Sequence, residues 1–406
     1  VNRAIDVVVI GAGHNGLACA CYLARAGLGV TVLEAADTPG GCIHTVDLPD
    51  GRGRLELGAY EHGGIRASGV AADLELERRF GLRFHLRDEV TLAPCDDGAA
   101  LAFDASLERT VEHLRRVVGD ADADAYRRFA SWAAAAVALL HQTEAGPPPS
   151  LRELAALAEA ALGAEAGRLL QALLGSASNL VRSVVADRRL QGVLAHWAAH
   201  SQQSPAGTGA GALLLAGGHG SPAARPAGGS RATVDALVRC LEAAGGELRC
   251  GQPVTRVELR DGRAALWLST FVPWRPAAGP WDAASLERAA DHAWRVAERA
   301  LGTALEPVER HVTGPLEWVA RHGGAHANPN HVEMSLDPAR ELPAVAEPGR
   351  YRTPIGGLFL TGAGTHPGGG VTGLPGRNAA AVVLEALGAG RPRPWAATAK
   401  QRLRGR

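Results

Sequence analysis

Asp6-Val7-Val8-Val9-Ile10-Gly11-Ala12-Gly13-His14-Asn15-Gly16 joins an apolar run directly to three spaced glycines near the start of the chain. The run has the length and β-branched content of a buried parallel strand. Leu17 to Arg25 then reads as a helix, and Val30-Thr31-Val32-Leu33 as a second strand that ends in Glu34. Gly11, Gly13 and Gly16 permit a tight turn and let backbone N–H groups approach a pyrophosphate, whose charge the helix dipole favours. Asn15 lies in the same turn. An acid about 20 residues beyond such a turn is placed to accept from a ribose hydroxyl, and Glu34 meets that condition. With strand, turn, helix, strand and acid in order, the segment is expected to bind a dinucleotide.

Two further glycine clusters refine the expectation. Pro39-Gly40-Gly41-Cys42-Ile43-His44-Thr45 follows the acid, and by itself would pass for a turn leaving a strand. Near the other end, Leu358-Phe359-Leu360 reads as a short strand leading into Thr361-Gly362-Ala363-Gly364-Thr365-His366-Pro367-Gly368-Gly369-Gly370-Val371. Thr372-Gly373-Leu374-Pro375-Gly376-Arg377-Asn378 continues it, and Ala379 to Leu387 reads as a helix. That glycine density lets backbone lie flat against a planar or phosphorylated ligand, while the helix offers N–H groups to an anion.

Together these segments resemble flavoproteins of the amine oxidase and phytoene desaturase superfamily, in particular its phytoene dehydrogenase-like (carotenoid desaturase-type) oxidoreductases. Tyr60-Glu61-His62-Gly63-Gly64 and Arg225-Pro226-Ala227-Gly228-Gly229-Ser230 are similar to that family as well. The resemblance implies FAD as cofactor. It implies contacts to FAD from Gly11, Gly13, Asn15, Gly16, Glu34, Gly40, Gly41, Val254, Gly362, Ala363, Gly369, Gly370 and Val371. The implied fold is α/β, a Rossmann-type FAD-binding domain interleaved with a helix-rich α+β substrate domain. On this reading 1–70, 225–265 and 350–390 form the FAD-binding domain, and 71–224 with 266–349 the substrate domain.

The pattern between the motifs agrees with a helical lobe. Leu107 to Gln142 reads as helical, Gly146-Pro147-Pro148-Pro149 breaks it, and Ser150 is placed to cap the next stretch, which runs toward Leu180. Ser204 to Gly229 is rich in Gly, Ala and Pro, but Ala212-Leu213-Leu214-Leu215 argues for order there. Arg231 to Ala244 is a helix candidate. Gly245 to Cys250 and Val254 to Leu259 read as strands ending in an Asp261-Gly262 turn. Beyond that turn the family pattern calls for a returning strand, whereas Arg263-Ala264-Ala265 runs straight into Leu266-Trp267-Leu268, so a stretch is expected to be missing near Ala264 and Ala265. Asp282 to Leu301 is patterned as an amphipathic helix.

Composition narrows the partners. Lys+Arg and Asp+Glu balance at 42 each over 406 residues, which gives no footprint for nucleic acid. No apolar run is long enough to span a bilayer, and no signal-peptide pattern precedes the first strand, so a cytoplasmic location is expected. A peripheral membrane contact would suit a carotenoid-like substrate. Cys19, Cys21, Cys42, Cys95, Cys240 and Cys250 show neither CxxC nor zinc spacing, so no metal site is expected and reduced thiols are the default.

The implied chemistry is desaturation or dehydrogenation of a lipophilic or natural-product small molecule, with hydride passing to flavin N5 and a base taking the proton. His62, Glu61 and His366 are the candidate acid/base residues, with His322 and His326 as further ones. Arg225 is read as an ion-pair partner joining the lobes, with a cavity cation orienting substrate as the alternative. No second GxGxxG is present, so a stable nicotinamide site is not expected. A flavin amine oxidase is the alternative; it would need an aromatic cage, for which Trp318 and Tyr351 are the nearest residues. A non-catalytic flavin-binding accessory protein is the third reading.

Overall fold

The computed structural model describes residues 5–47, 54–56, 58–146, 148–200, 212–254, 257–260, 263–266 and 351–390, and positions 287, 291 and 295. His322, His326, Trp318 and nearly all of the expected helix 282–301 lie outside the described residues.

β1 (Val7–Ile10), α1 (His14–Arg25) and β2 (Val30–Leu33) form the expected unit. β1 pairs parallel to β2, with Val7 opposite Val30. Val9 packs under α1, whereas Val8 and Ile10 are 40% and 36% exposed on the face that α1 does not cover. The expectation of a buried strand is therefore corrected to one buried on a single face. β3 (Thr45–Asp47) and β4 (Arg54–Glu56) make an antiparallel pair. Three short helices follow, α2 (Gly63–Ala67), α3 (Val70–Asp73) and α4 (Leu76–Arg79). Then come β5 (Phe84–Arg87) and the antiparallel pair β6 (Glu89–Pro94) with β7 (Ala100–Asp104).

The helical lobe comprises α5 (Leu107–Val118), α6 (Asp120–Thr143), α7 (Leu151–Leu162), α8 (Ala166–Leu174), α9 (Ala177–Val184), α10 (Arg188–His200) and α11 (Ala212–Gly217). The single helix read over 107–142 is two, because Gly119 holds φ +92, a left-handed value that ends α5 and restarts the chain as α6. Tyr126, Phe129, Ala130, Ala133 and Val137 of α6 recur at helical spacing and are buried together with Phe103 and Leu114 in the lobe's core.

Ser150 does cap α7. Its hydroxyl accepts from Glu153 N at 3.3 Å while the Glu153 carboxylate accepts from Ser150 N at 2.7 Å, a reciprocal capping box. Replacing Ser150 with alanine is expected to cost about 1 kcal/mol. A urea titration should show a lower midpoint with an unchanged slope.

The chain then returns through β8 (Ala223–Pro226), antiparallel to β5, and α12 (Arg231–Ala243). β9 (Glu247–Arg249) adds to β2 in parallel, giving the order β1-β2-β9. β10 (Val257–Arg260) pairs antiparallel with β11 (Arg263–Leu266). The returning strand after Asp261-Gly262 is thus present, which corrects that part of the sequence reading; the chain beyond Leu266 up to Arg350 is outside the described residues apart from three positions. The expected strand at Leu358–Leu360 is only an isolated bridge between Phe359 and Arg352. α13 (Leu374–Ala386) closes the described chain and starts five residues earlier than read, with Pro375 in its first turn, where a missing N–H costs nothing.

Two cores result. The first joins α1, α12 and α13 with β1 and β2, and takes in Leu74, Leu76 and Leu82 from the segment after residue 70. Residues Asn15 to Ala24 of α1 are all buried, because the helix is wedged between the sheet and two other helices. The second core is the helical lobe.

Candidate functional site

The three glycine clusters that lie far apart in sequence meet around the start of α1. Gly40 pairs with Gly13 as an isolated parallel bridge, and Gly40 N donates to Ala12 O at 2.9 Å. Gly41 lies so close that a Cβ on it would stand 3.3 Å from Gly13 Cα. A Cβ on Gly16 would overlap the Gly11 carbonyl oxygen, and one on Gly376 the Asn15 carbonyl oxygen, so the first turn of α1 is gripped on two sides by bare backbone. On the far side, a Cβ on Gly64 would overlap the Gly370 carbonyl oxygen, and Ser68 Oγ donates to Thr372 O at 2.7 Å. The closing loop therefore packs on the Tyr60–Gly64 segment. Val371 holds φ +52 there, a conformation costing a β-branched residue about 1–3 kcal/mol.

Gly13, by contrast, has open space where its Cβ would be, with φ −66 and ψ 164 at the helix N-cap. The first N–H groups of α1 have no partner within the helix. Glu34 sits beside them; its carboxylate accepts from Ala12 N at 2.7 Å and from Ala36 N at 2.9 Å. Gln252 N donates to Glu34 O at 2.8 Å and brings Val254, which is buried, towards this edge.

Four buried side-chain atoms have no hydrogen-bond partner among the described residues: His14 Nε2, Asn15 Oδ1, Thr361 Oγ1 and Trp132 Nε1. Three of the four lie in the first and last glycine loops. Buried polar atoms are paired in folded proteins with few exceptions, so this clustering marks a place built for a polar ligand. A dinucleotide fits the donor and acceptor set. Neutral nitrogens and oxygens suit its hydroxyls, and the free N–H groups of the helix suit its diphosphate.

The acid/base candidates are held by the protein itself. Glu61 Oε1 accepts from Gly63 N and from Ala224 N, both at 2.8 Å, so this carboxylate fastens α2 to β8. His62 is fully buried. Its Nε2 lies 3.2 Å from Ala59 O and its Nδ1 2.8 Å from Thr233 Oγ1. A carbonyl only accepts, so Nε2 carries the proton and Nδ1 accepts from the threonine hydroxyl. Burial, only partly offset by the Ala59 carbonyl, lowers its pKa to about 4. These contacts engage Glu61 and His62 within the protein itself. His366 differs. Its Nε2 lies 3.0 Å from Thr143 O at the end of α6, which leaves the Nδ1 lone pair available, and burial lowers its pKa from the ordinary 6.5.

The start of α13 also ties the two lobes. Asn378 Nδ2 donates to Glu144 O at 2.8 Å and to the Tyr351 hydroxyl at 3.0 Å. The Tyr351 hydroxyl in turn donates to the His366 carbonyl. Tyr351 is fully buried in this network and is not a cage aromatic. Arg225 lies over the Tyr60 ring, 5.0 Å from its centre, a cation–π contact, and among the described residues it makes no ion pair of the kind expected. Burial raises the Cys42 thiol, so it is no ready nucleophile. Among the described residues no group of three potential metal ligands converges.

One buried pair beneath the site is not legible in the sequence. Arg377 of α13 lies 3.5 Å from Asp73 of α3, and Asp73 also accepts from the Tyr22 hydroxyl at 3.0 Å. A cavity of about 40 Å³ lies in the helical lobe beside Phe103, Trp197 and His219. It has room for a few waters and is not the long apolar tunnel that a carotenoid-like substrate would call for.

Comparison with known proteins agrees with this geometry. Residues 9–86 match the family described as NAD(P)-binding Rossmann-like domain. The hydroxyneurosporene desaturase of Cereibacter sphaeroides is 32% identical over 272 residues, which covers 64% of this chain and 52% of that protein. A limonene dehydrogenase component of Castellaniella defragrans is 33% identical over 134 residues, 30% of this chain and 22% of that protein. The chain thus spans about half the length of the first of these relatives. Cyclohexylamine oxidase from Brevibacterium oxydans superposes with a TM-score of 0.55 at 15% identity, over 95% of this chain and 99% of that one. The chain is thus similar to the desaturase over about half of that protein's length, and it shares the fold of the oxidase, with a Rossmann-like segment at its start.

Proposed function

We propose that this protein is an FAD-dependent oxidoreductase that desaturates a lipophilic or natural-product small molecule. The observation that carries the reading is the set of buried, unpartnered polar atoms in the first and last glycine loops. The desaturase and dehydrogenase names of the relatives support the reaction class. When bound, FAD supplies the two-electron acceptor at N5. Glu34 then holds a ribose hydroxyl, the N–H groups of the first turn of α1 hold the diphosphate, and Gly13, Gly41 and Gly370 leave room for it. Residues 1–70, 225–265 and 350–390 are assigned to this cofactor and the intervening ones to substrate; the two cores support a division into two lobes, although Leu74, Leu76 and Leu82 pack with the first.

His366 is assigned as the base. Its Nε2–H stays on the Thr143 carbonyl and its Nδ1 takes the proton that leaves substrate as hydride departs from the neighbouring carbon. Because burial lowers its pKa, the imidazole remains neutral below the ordinary value of 6.5, and the acid limb of the kcat profile should fall below that pH. His366→Asn should lower kcat by about 10²–10⁴-fold while leaving flavin content unchanged. An unchanged kcat in that variant would remove His366 from the reaction.

The partner is an apolar small molecule, not a nucleic acid, and the location cytoplasmic with peripheral membrane contact. No helix among the described residues is long and apolar enough to cross a membrane. The reading is tested by the absorption spectrum of the purified protein, followed by anaerobic titration with polyenes, amines and cyclic alcohols. Flavin bands bleached by a polyene support desaturation, and bleaching by an amine turns the assignment to amine oxidation. A flavin that no class reduces favours an accessory role, and absence of flavin after adding FAD overturns the proposal.

A further inference from the structure

We propose that His14 is a cofactor-positioning residue, offering Nε2 to a hydroxyl-bearing part of the bound dinucleotide. The inference rests on the FAD reading above and adds a residue that the glycine motif does not specify. His14 is the first residue of α1, directly after Gly13, where the cofactor cradle is open. One edge of the residue reaches the surface, but Nε2 is buried and has no partner among the described residues.

Neither neighbour can satisfy that nitrogen. His62 is close enough to disfavour a second positive charge, yet both its ring nitrogens are committed, to Ala59 O and to Thr233 Oγ1. Asn15, next in sequence, presents Oδ1, which is likewise buried and unpartnered. Two unpartnered polar atoms on consecutive residues, an imidazole nitrogen and an acceptor oxygen, call for a ligand that can donate as well as accept. A hydroxyl does both, whereas a fully ionised phosphate only accepts. Burial, with His62 adding to it, lowers the His14 pKa to about 4, which keeps the ring neutral and free to act as either partner. The competing reading is that the imidazole merely fills space, and then an apolar ring of similar size would serve as well.

The experiment titrates FAD into flavin-stripped protein and follows quenching of flavin fluorescence, for the natural chain, His14→Phe and His14→Gln. The expected result is a Kd at least tenfold higher for His14→Phe, partial recovery in His14→Gln, and an unchanged or raised melting temperature of the flavin-free variants. Equal Kd values for the natural chain and His14→Phe overturn the proposal and leave the FAD assignment standing. No quenching with the natural chain overturns both.

A second readout does not depend on the variants folding. In ¹⁵N-histidine-labelled natural protein, addition of FAD should shift the His14 Nε2 resonance while the His62 nitrogens stay in place. An unmoved His14 Nε2 in the loaded protein overturns the proposal.

Discussion

Gly13→Ala is expected to yield a folded protein that has lost its flavin. The native φ of −66 is one alanine adopts freely, and the new methyl would meet no protein atom within 4 Å. It would instead fill the space in which the diphosphate must approach the N–H groups of α1. Gly16→Ala is the informative contrast. There the methyl would overlap the Gly11 carbonyl oxygen, a backbone atom with no rotamer to yield, so the turn itself must open. Overpacking of this kind costs about 1–3 kcal/mol or more. Since 1.4 kcal/mol is a tenfold change, a cost of that size falling on the bound form would weaken cofactor binding by roughly 5- to 140-fold, as well as lowering the melting temperature. Flavin content and thermal unfolding, measured on the same preparations, separate the two variants. If Gly13→Ala keeps its flavin, the cradle is not at α1. If Gly16→Ala melts with the natural protein, the close packing at that turn is absent.

That contrast also shows what the sequence makes legible. The β1-α1-β2 unit is a local pattern: its apolar runs, glycine spacing and Glu34 lie within about 30 residues, as a βαβ unit requires, and the structure reproduces it. Other features are set by partners distant in the chain. Glu61 and His62 look reactive by residue type, but Ala224 and Thr233 engage them, and no local pattern announces those bonds. The same holds for His366, whose proton is placed by Thr143 at the end of a helix in the other lobe. The break at Gly119 is hidden because apolar spacing continues across it. The strand expected at Leu358–Leu360 has the right residues, yet among the described residues it finds only Arg352 as a bridge partner. Residue type proposes a role, and the tertiary partner decides it.

Arg377→Leu should be the most destabilising single change to a charged residue in the described core. Arg377 and Asp73 have side chains 6% and 3% exposed, and removing one member of a buried pair leaves the other charge uncompensated, typically at about 3–5 kcal/mol. The loss should depend on pH. Burial raises the Asp73 pKa, against the opposing pull of the Tyr22 hydroxyl and of Arg377. An acid whose folded pKa is raised binds its proton more tightly in the folded state. Its contribution to stability is therefore fully present below the unfolded pKa and is lost as pH rises through the folded one. Without Arg377 the folded pKa climbs further, so the variant should be weakest near pH 8 and approach the natural protein as the medium is acidified towards pH 5. Asp73→Asn combined with Arg377→Leu removes both charges, keeps an acceptor for Tyr22, and should recover most of the loss at neutral pH. Urea unfolding of the natural chain, of Asp73→Asn and Arg377→Leu singly, and of the double variant, each at pH 5 and pH 8, gives the coupling directly. A deficit in Arg377→Leu that is the same at both pH values would mean that the arginine acts through packing of its stem against α3, and that the carboxylate beside it is already solvated.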